Sequence, residues 1–179
     1  MIKPIYLLTL LLIILTQDLI ADDVFIPNMR SRPKEVETQP TVSWHELTMP
    51  SPPLPNNTDL IELTINRVES PFRYFIDSKH LLVSDDAVVR YTLVIESRSG
   101  SRNLSYEGIR CTPQGQYKVF AYGVNDQFIA LNEATWQPIS DSSSERYRSE
   151  LWQFYFCTKS EFKPRQKSDI LRLLKAESR

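Results

Sequence analysis

Residues 88–96 read VVRYTLVIE, and their alternation decides the fold class. Val89, Tyr91, Leu93 and Ile95 fall on one side of an extended chain; Val88, Arg90, Thr92, Val94 and Glu96 fall on the other. Successive side chains of a strand point to opposite faces. A period of two rich in β-branched and aromatic residues predicts a strand with one buried face. Working outward, LIELTIN (60–66), FRYFID (72–77), NLSYEGIRC (103–111), QYKVFAYG (116–123) and FIALNEATWQPI (128–139) read as further strands. That makes an antiparallel sheet of about six.

The glycines fit this plan. Gly100 in SRSGS and Gly115 in TPQGQ sit where tight turns require positive φ. Gly108 lies inside a strand pattern, where glycine marks a bulge or the close approach of another segment. Beyond the strands, SDSSSERYRSELWQFYFC (140–157) offers Ser and Asp caps before Tyr147, Leu151 and Tyr155, spaced i, i+4, i+8 and joined by Phe154. One apolar stripe on a helix needs a surface to cover, and the apolar face of the sheet supplies it. A second short helix is predicted over 168–177, with Ile170, Leu173 and Leu174 as its stripe. The expected class is α+β, a C-terminal helix lying on one face of an antiparallel sheet.

The N-terminus bears on compartment. MIKPIYLLTLLLIILTQDLIA carries one lysine, an apolar run from Ile5 to Leu15 and a small residue at position 21. This is the pattern of a secretory signal peptide; Gln17 and Asp18 interrupt the run before the roughly 20 apolar residues that a membrane span needs. In an oxidising compartment two thiols of a small domain pair, so Cys111 and Cys157 are expected to form a disulfide that pins the helix to the sheet. The bond would close a loop worth about 4 kcal/mol of unfolded-state entropy in the chain-entropy treatment.

The expected organisation is a signal peptide (1–21), a Pro-rich extended arm (22–58), a globular α+β domain (59–158) and a basic C-terminal tail with a short helix (159–179). Seven of the twelve prolines fall in the arm, where their fixed φ and missing amide proton exclude regular helix and sheet. Within it, SWHEL (43–47) has the apolar mass to dock through Trp44. The tail holds seven Lys/Arg against three Asp/Glu, a charge able to lean on anionic lipid or cell-wall polymer. The formal net charge of −1 gives no long-range attraction to nucleic acid, whose binding needs many cations. No transmembrane segment is expected after the leader.

The blocks SWHEL, VVRYTLV, NLSYEGIRC, WQPI and the closing YFC resemble the cryptic neisserial protein-like family of Gram-negative bacteria, over roughly residues 42–157. The resemblance implies an exported envelope protein and leaves the activity open. One departure is SDDAVVR, where Ala87 stands at a position usually held by glycine, implying a different turn. The order YFID, VVRY, a strand ending in cysteine, a lone Trp and a final cysteine is also similar, more weakly, to surface-adhesin E-like modules. Those are antiparallel sheets with a disulfide-bonded C-terminal helix.

Chemistry-bearing residues are few. His45 lies in the arm and His80 between strands, neither in a nucleophile context such as GxSxG. A periplasmic hydrolase would have to draw on His80 with Asp85 or Glu107. Asp85 and Asp86 read as solvated turn residues. No HExxH, CxxC or calcium-loop spacing points to a metal, and no cofactor is expected. Tyr106, Gly108 and Arg110 share a strand face, and the missing side chain at Gly108 leaves a shallow notch beside a forked donor. This is the candidate binding site; the competing reading has Gly108 receive the helix and Arg110 pair internally. The expected function is a non-catalytic periplasmic module that binds an envelope protein or cell-wall component. A surface adhesion module is the alternative, and an enzyme is not expected.

Overall fold

The computed structural model of the chain describes residues 43–65, 70–142 and 145–177. The expected leader and the arm up to position 42 lie outside the described residues. The fold is α+β. Its strands are β1 (Leu60–Leu63), β2 (Phe72–Asp77), β3 (Leu82–Val83), β4 (Val88–Ser97), β5 (Arg102–Arg110), β6 (Gln116–Val124), β7 (Gln127–Ala130) and β8 (Gln137–Pro138). All pairings are antiparallel, in the order β1-β2-β4-β5-β6-β7. The two-residue strands fill out rows already begun: β3 pairs with β4 and β8 with β6. The sheet is therefore six strands wide although eight strands build it. The single strand expected over 128–139 divides into β7 and β8, and β1 stops at Leu63.

The face bearing Val89, Tyr91 and Leu93 is covered by the C-terminal segment, as the alternation predicts. Helix α1 (Arg146–Glu150) runs directly into a π-helical stretch (Leu151–Phe156), and α2 (Lys167–Glu177) follows. The Tyr91 ring meets Phe156 edge-on at 5.1 Å, and Tyr74 stacks on Tyr147 at 5.4 Å. Tyr147, Leu151 and Tyr155 are buried, but Phe154 is 51% exposed and Phe156 takes the core position instead. The i→i+5 bond from Cys157 N to Trp152 O widens the turn and moves the apolar stripe on by a residue. The N-cap of α1 is Glu145 and makes no side-chain capping bond; Asp141, an expected cap, accepts from Ser149 Oγ, and positions 143–144 lie outside the described residues.

Cys111, just past β5, is bonded to Cys157, just past the π-helical stretch, with Cα atoms 5.5 Å apart. The packed body reaches beyond both expected limits of the globular domain. Ile170 and Leu174 of α2 sit in the core, so the tail is part of the fold. At the other end, residues 44–47 lie on the sheet's second face through Trp44 and Leu47.

That second face corrects the reading of VVRYTLVIE as buried on one side only. Val88, Arg90, Thr92 and Val94 are as buried as their neighbours. The cover comes from residues 44–47, whose Trp44 and Leu47 hydrogen-bond to Asp86, and from the Phe120 ring, which lies over Arg90 and Tyr106.

Candidate functional site

The register of β5 against β6 shifts between Tyr106 and Glu107: Tyr106 faces Ala121 while Glu107 faces Val119. Phe120 is the extra residue of this bulge. A bulge bends its strand and re-aims a side chain, and here it lays the Phe120 ring across Gly108. A Cβ built on Gly108 would lie 2.8 Å from Phe120 Cε2 and 2.9 Å from Val88 Cγ1. The notch expected on this face is thus filled, by Phe120 and not by a helix or a partner.

Tyr106, Gly108 and Arg110 do share this face. Tyr106 is buried with its ring 5.5 Å from Phe120 and 6.2 Å from Phe128. Arg110 lies over the Trp44 ring at 3.5 Å and donates from Nη1 to Gln116 Oε1 at 3.0 Å. Partial burial lowers the guanidinium's pKa, against the opposing influence of Glu46 and Asp86. The fork is thus committed to an indole face and an amide oxygen, contacts for which arginine is suited. Trp136 closes the group, edge-on to both Trp44 and Phe120.

The 44–47 segment is stitched down by charge. Arg90 and Asp86 form a buried two-bond ion pair at 2.7 and 2.9 Å, and Arg90 Nη1 also donates to Ser84 Oγ. The pair's remaining capacity goes to the segment: Leu47 N donates to Asp86 Oδ2, Arg90 Nη2 donates to Leu47 O, and Trp44 Nε1 donates to the Asp86 carbonyl. Burial raises the Asp86 carboxyl, but bonds from Arg90, Ser84 and Leu47 outweigh it and hold the group well below its ordinary value. Glu46 accepts from Lys118 and from Trp136 Nε1. Asp86 is therefore buried, where a solvated turn residue was expected. Glu46, Trp136 and Arg90 were not singled out from sequence as site residues.

The helix-facing side of β5 carries a second polar group. Glu107 is 1% exposed, accepting from Arg148 Nε and Nη2, Tyr91 Oη, Ser105 Oγ and Tyr147 Oη. Burial, then the Glu107 charge, pushes the Tyr91 and Tyr147 hydroxyls above their ordinary range. Burial alone would lower Arg148, but its bonds to Glu107 hold it charged. The carboxylate accepts three hydrogen bonds on Oε1 and two on Oε2, which is the arrangement of a structural anchor.

His80 is not brought to Asp85 or Glu107. Its Nδ1 lies 2.6 Å from Asp77 Oδ2, and Asp77, wholly buried at the end of β2, also accepts from the backbone N–H of Lys79. Asp85 is exposed. Among the described residues no three of His, Cys, Asp and Glu gather in a metal-binding group, and no helix is long and apolar enough to cross a membrane.

These features define a class: an antiparallel meander sealed on one face by a disulfide-tied helical segment and on the other by an N-terminal strap. The profile of the CNP1-like family matches residues 39–175, a span that includes the strap, the sheet and most of α2. The chain belongs to the CNP1-like family. It is 31% identical over 143 residues to "Cryptic neisserial protein 1" of Neisseria gonorrhoeae (strain ATCC 700825 / FA 1090), covering 70% of this chain and 68% of that one. No solved structure matches the chain.

Proposed function

We propose that this is an exported periplasmic protein without catalytic activity, which binds another envelope protein or a cell-wall component. The observation that carries the reading is the disulfide between Cys111 and Cys157, both sulfurs lying within the core cluster. A core completed by a disulfide suits an oxidising compartment, and the leader-like pattern of residues 1–21 agrees with it. Binding is supported by the β6–β7 corner. Tyr122, Val124 and Ile129 are exposed there, and Tyr122 lies directly opposite Ile129. A grouped apolar surface beside an edge strand favours a protein contact. The non-catalytic part is supported by His80 and Glu107 being committed to Asp77 and Arg148.

The test is expression of the full chain in a Gram-negative host. The expected result is a mass equal to residues 22–179 less two hydrogens, recovered by osmotic shock and protected from protease in intact cells. Retention in the cytoplasm with two alkylatable thiols refutes the proposal. Digestion in intact cells moves the protein to the surface and favours an adhesion module.

A further inference from the structure

Beside the disulfide, on the outer side of the π-helical stretch, lies an open cleft of about 400 Å³ lined by Trp152, Gln153, Cys157, Thr158, Lys159 and Phe162. We propose that this cleft binds a free single-chain amphiphile, a long-chain carboxylate, with the chain in the cleft and the anionic head at Lys159. The assignment goes beyond the reading above and stands whether or not the chain is exported.

Three independent features converge here. The volume lies within the roughly 300–1,000 Å³ typical of small-molecule sites, and the wall is mainly apolar, with Trp152, Phe162 and Cys157 in its lining. The backbone is unusual on both sides. A six-residue π-helical stretch forms one wall, and such turns recur at functional sites. Phe162, on the other, has φ +51°, a conformation costly for a bulky L-residue. The strain is held by a closed loop: Phe162 N donates to Thr158 O, Thr158 N to Lys163 O, and Lys163 N to Thr158 Oγ1. Its result is a large ring held half out in solvent at the mouth of an apolar cleft.

The charge around the cleft selects the head group. Lys159 Nζ rests 4.9 Å from the centre of the exposed Phe154 ring and has no carboxylate partner among the described residues. The nearby acid, Glu161, is already paired with Lys163 at 3.0 Å. Lys159 is thus the one charged side chain among the residues lining the cleft, and no acid lines it, so an anion is favoured over a cation or a neutral alcohol.

The experiment is titration of the full chain with sodium laurate below its micellar concentration, followed by amide NMR and calorimetry. Dodecyltrimethylammonium and phosphatidylglycerol vesicles serve as parallel arms. Saturable one-to-one laurate binding, with shifts confined to residues 152–163, is expected. Lys159→Gln should weaken it about fivefold, the scale of one exposed ion pair. Gln153→Trp, which fills the cleft, should abolish it while the strand amides keep their dispersion. The proposal is overturned by non-saturable binding, by shifts elsewhere, by equal affinity for the quaternary ammonium, or by binding to vesicles alone.

Discussion

Arg148 reaches from helix α1 to the centre of the sheet and places two hydrogen bonds on Glu107, 2.9 Å from Nε and 3.1 Å from Nη2. Both groups are withdrawn from water, so each is tolerable only because the other is there. Removing one partner of a buried pair typically costs about 3–5 kcal/mol, more than the pair itself contributes. Arg148→Met should therefore lower unfolding free energy by about that amount in urea titration. Glu107→Leu combined with Arg148→Met should recover most of the loss. Equal damage from the single and double changes would show that the pair does not act as a unit.

The Asp86 carboxyl titrates below its unfolded value of 3.8. A depressed carboxylate stabilises the fold above the unfolded pKa, and that contribution is lost as pH falls through the folded one. Unfolding free energy measured between pH 6 and 2 should decline below about pH 3.8. Asp86→Asn should be less stable near neutrality, and its gap from the natural chain should narrow as the pH drops. A gap that stayed constant would remove Asp86 from the acid response.

Gly108 faces the Phe120 ring too closely to accept a methyl group. Gly108→Ala should cost about 1–3 kcal/mol, the usual scale of overpacking. Adding Phe120→Leu should relieve part of that, which thermal denaturation can resolve. Were the alanine variant as stable as the parent, the bulge would not be holding Phe120 against the strand.

Ala87 is exposed and has φ +59°. The turn thus has the left-handed conformation that glycine accepts most readily, although alanine occupies it. The left-handed region costs an L-residue roughly 1–2 kcal/mol, partly offset by the greater chain entropy of glycine. Ala87→Gly should stabilise by about 0.5–1 kcal/mol in denaturant titration, and a loss of stability would contradict the turn geometry.

Much of this fold was legible because strand patterns state their own face. The alternation in β4 located the helix-bearing side, and the placing of Cys111 and Cys157 tied sheet to helix. Arg90 hid the second buried face: a charge at mid-strand reads as solvent contact, and only Val88 and Val94 beside it suggested otherwise. The π-helical register was hidden because Phe154, Tyr155 and Phe156 are all apolar, so either spacing yields a stripe. At the candidate site the shared face of Tyr106, Gly108 and Arg110 followed from period two. Its filling did not, because it depends on one unpaired residue in β6, and bulges leave little trace in composition. Asp77 could have been found: an Asp at a strand end followed two residues later by a free N–H is a turn former.

The strap joins positions far apart along the chain: Trp44 meets Asp86, and Glu46 meets Lys118 and Trp136. Its contacts span up to 90 residues, and loop closure costs more entropy the longer the loop. High contact order slows folding, and the strap is accordingly expected to dock late, which amide protection in pulse-labelled refolding would check. In the native chain its docking supplies Leu47 N and Leu47 O to the Arg90–Asp86 pair, so the strap is what keeps the sheet's second side dry.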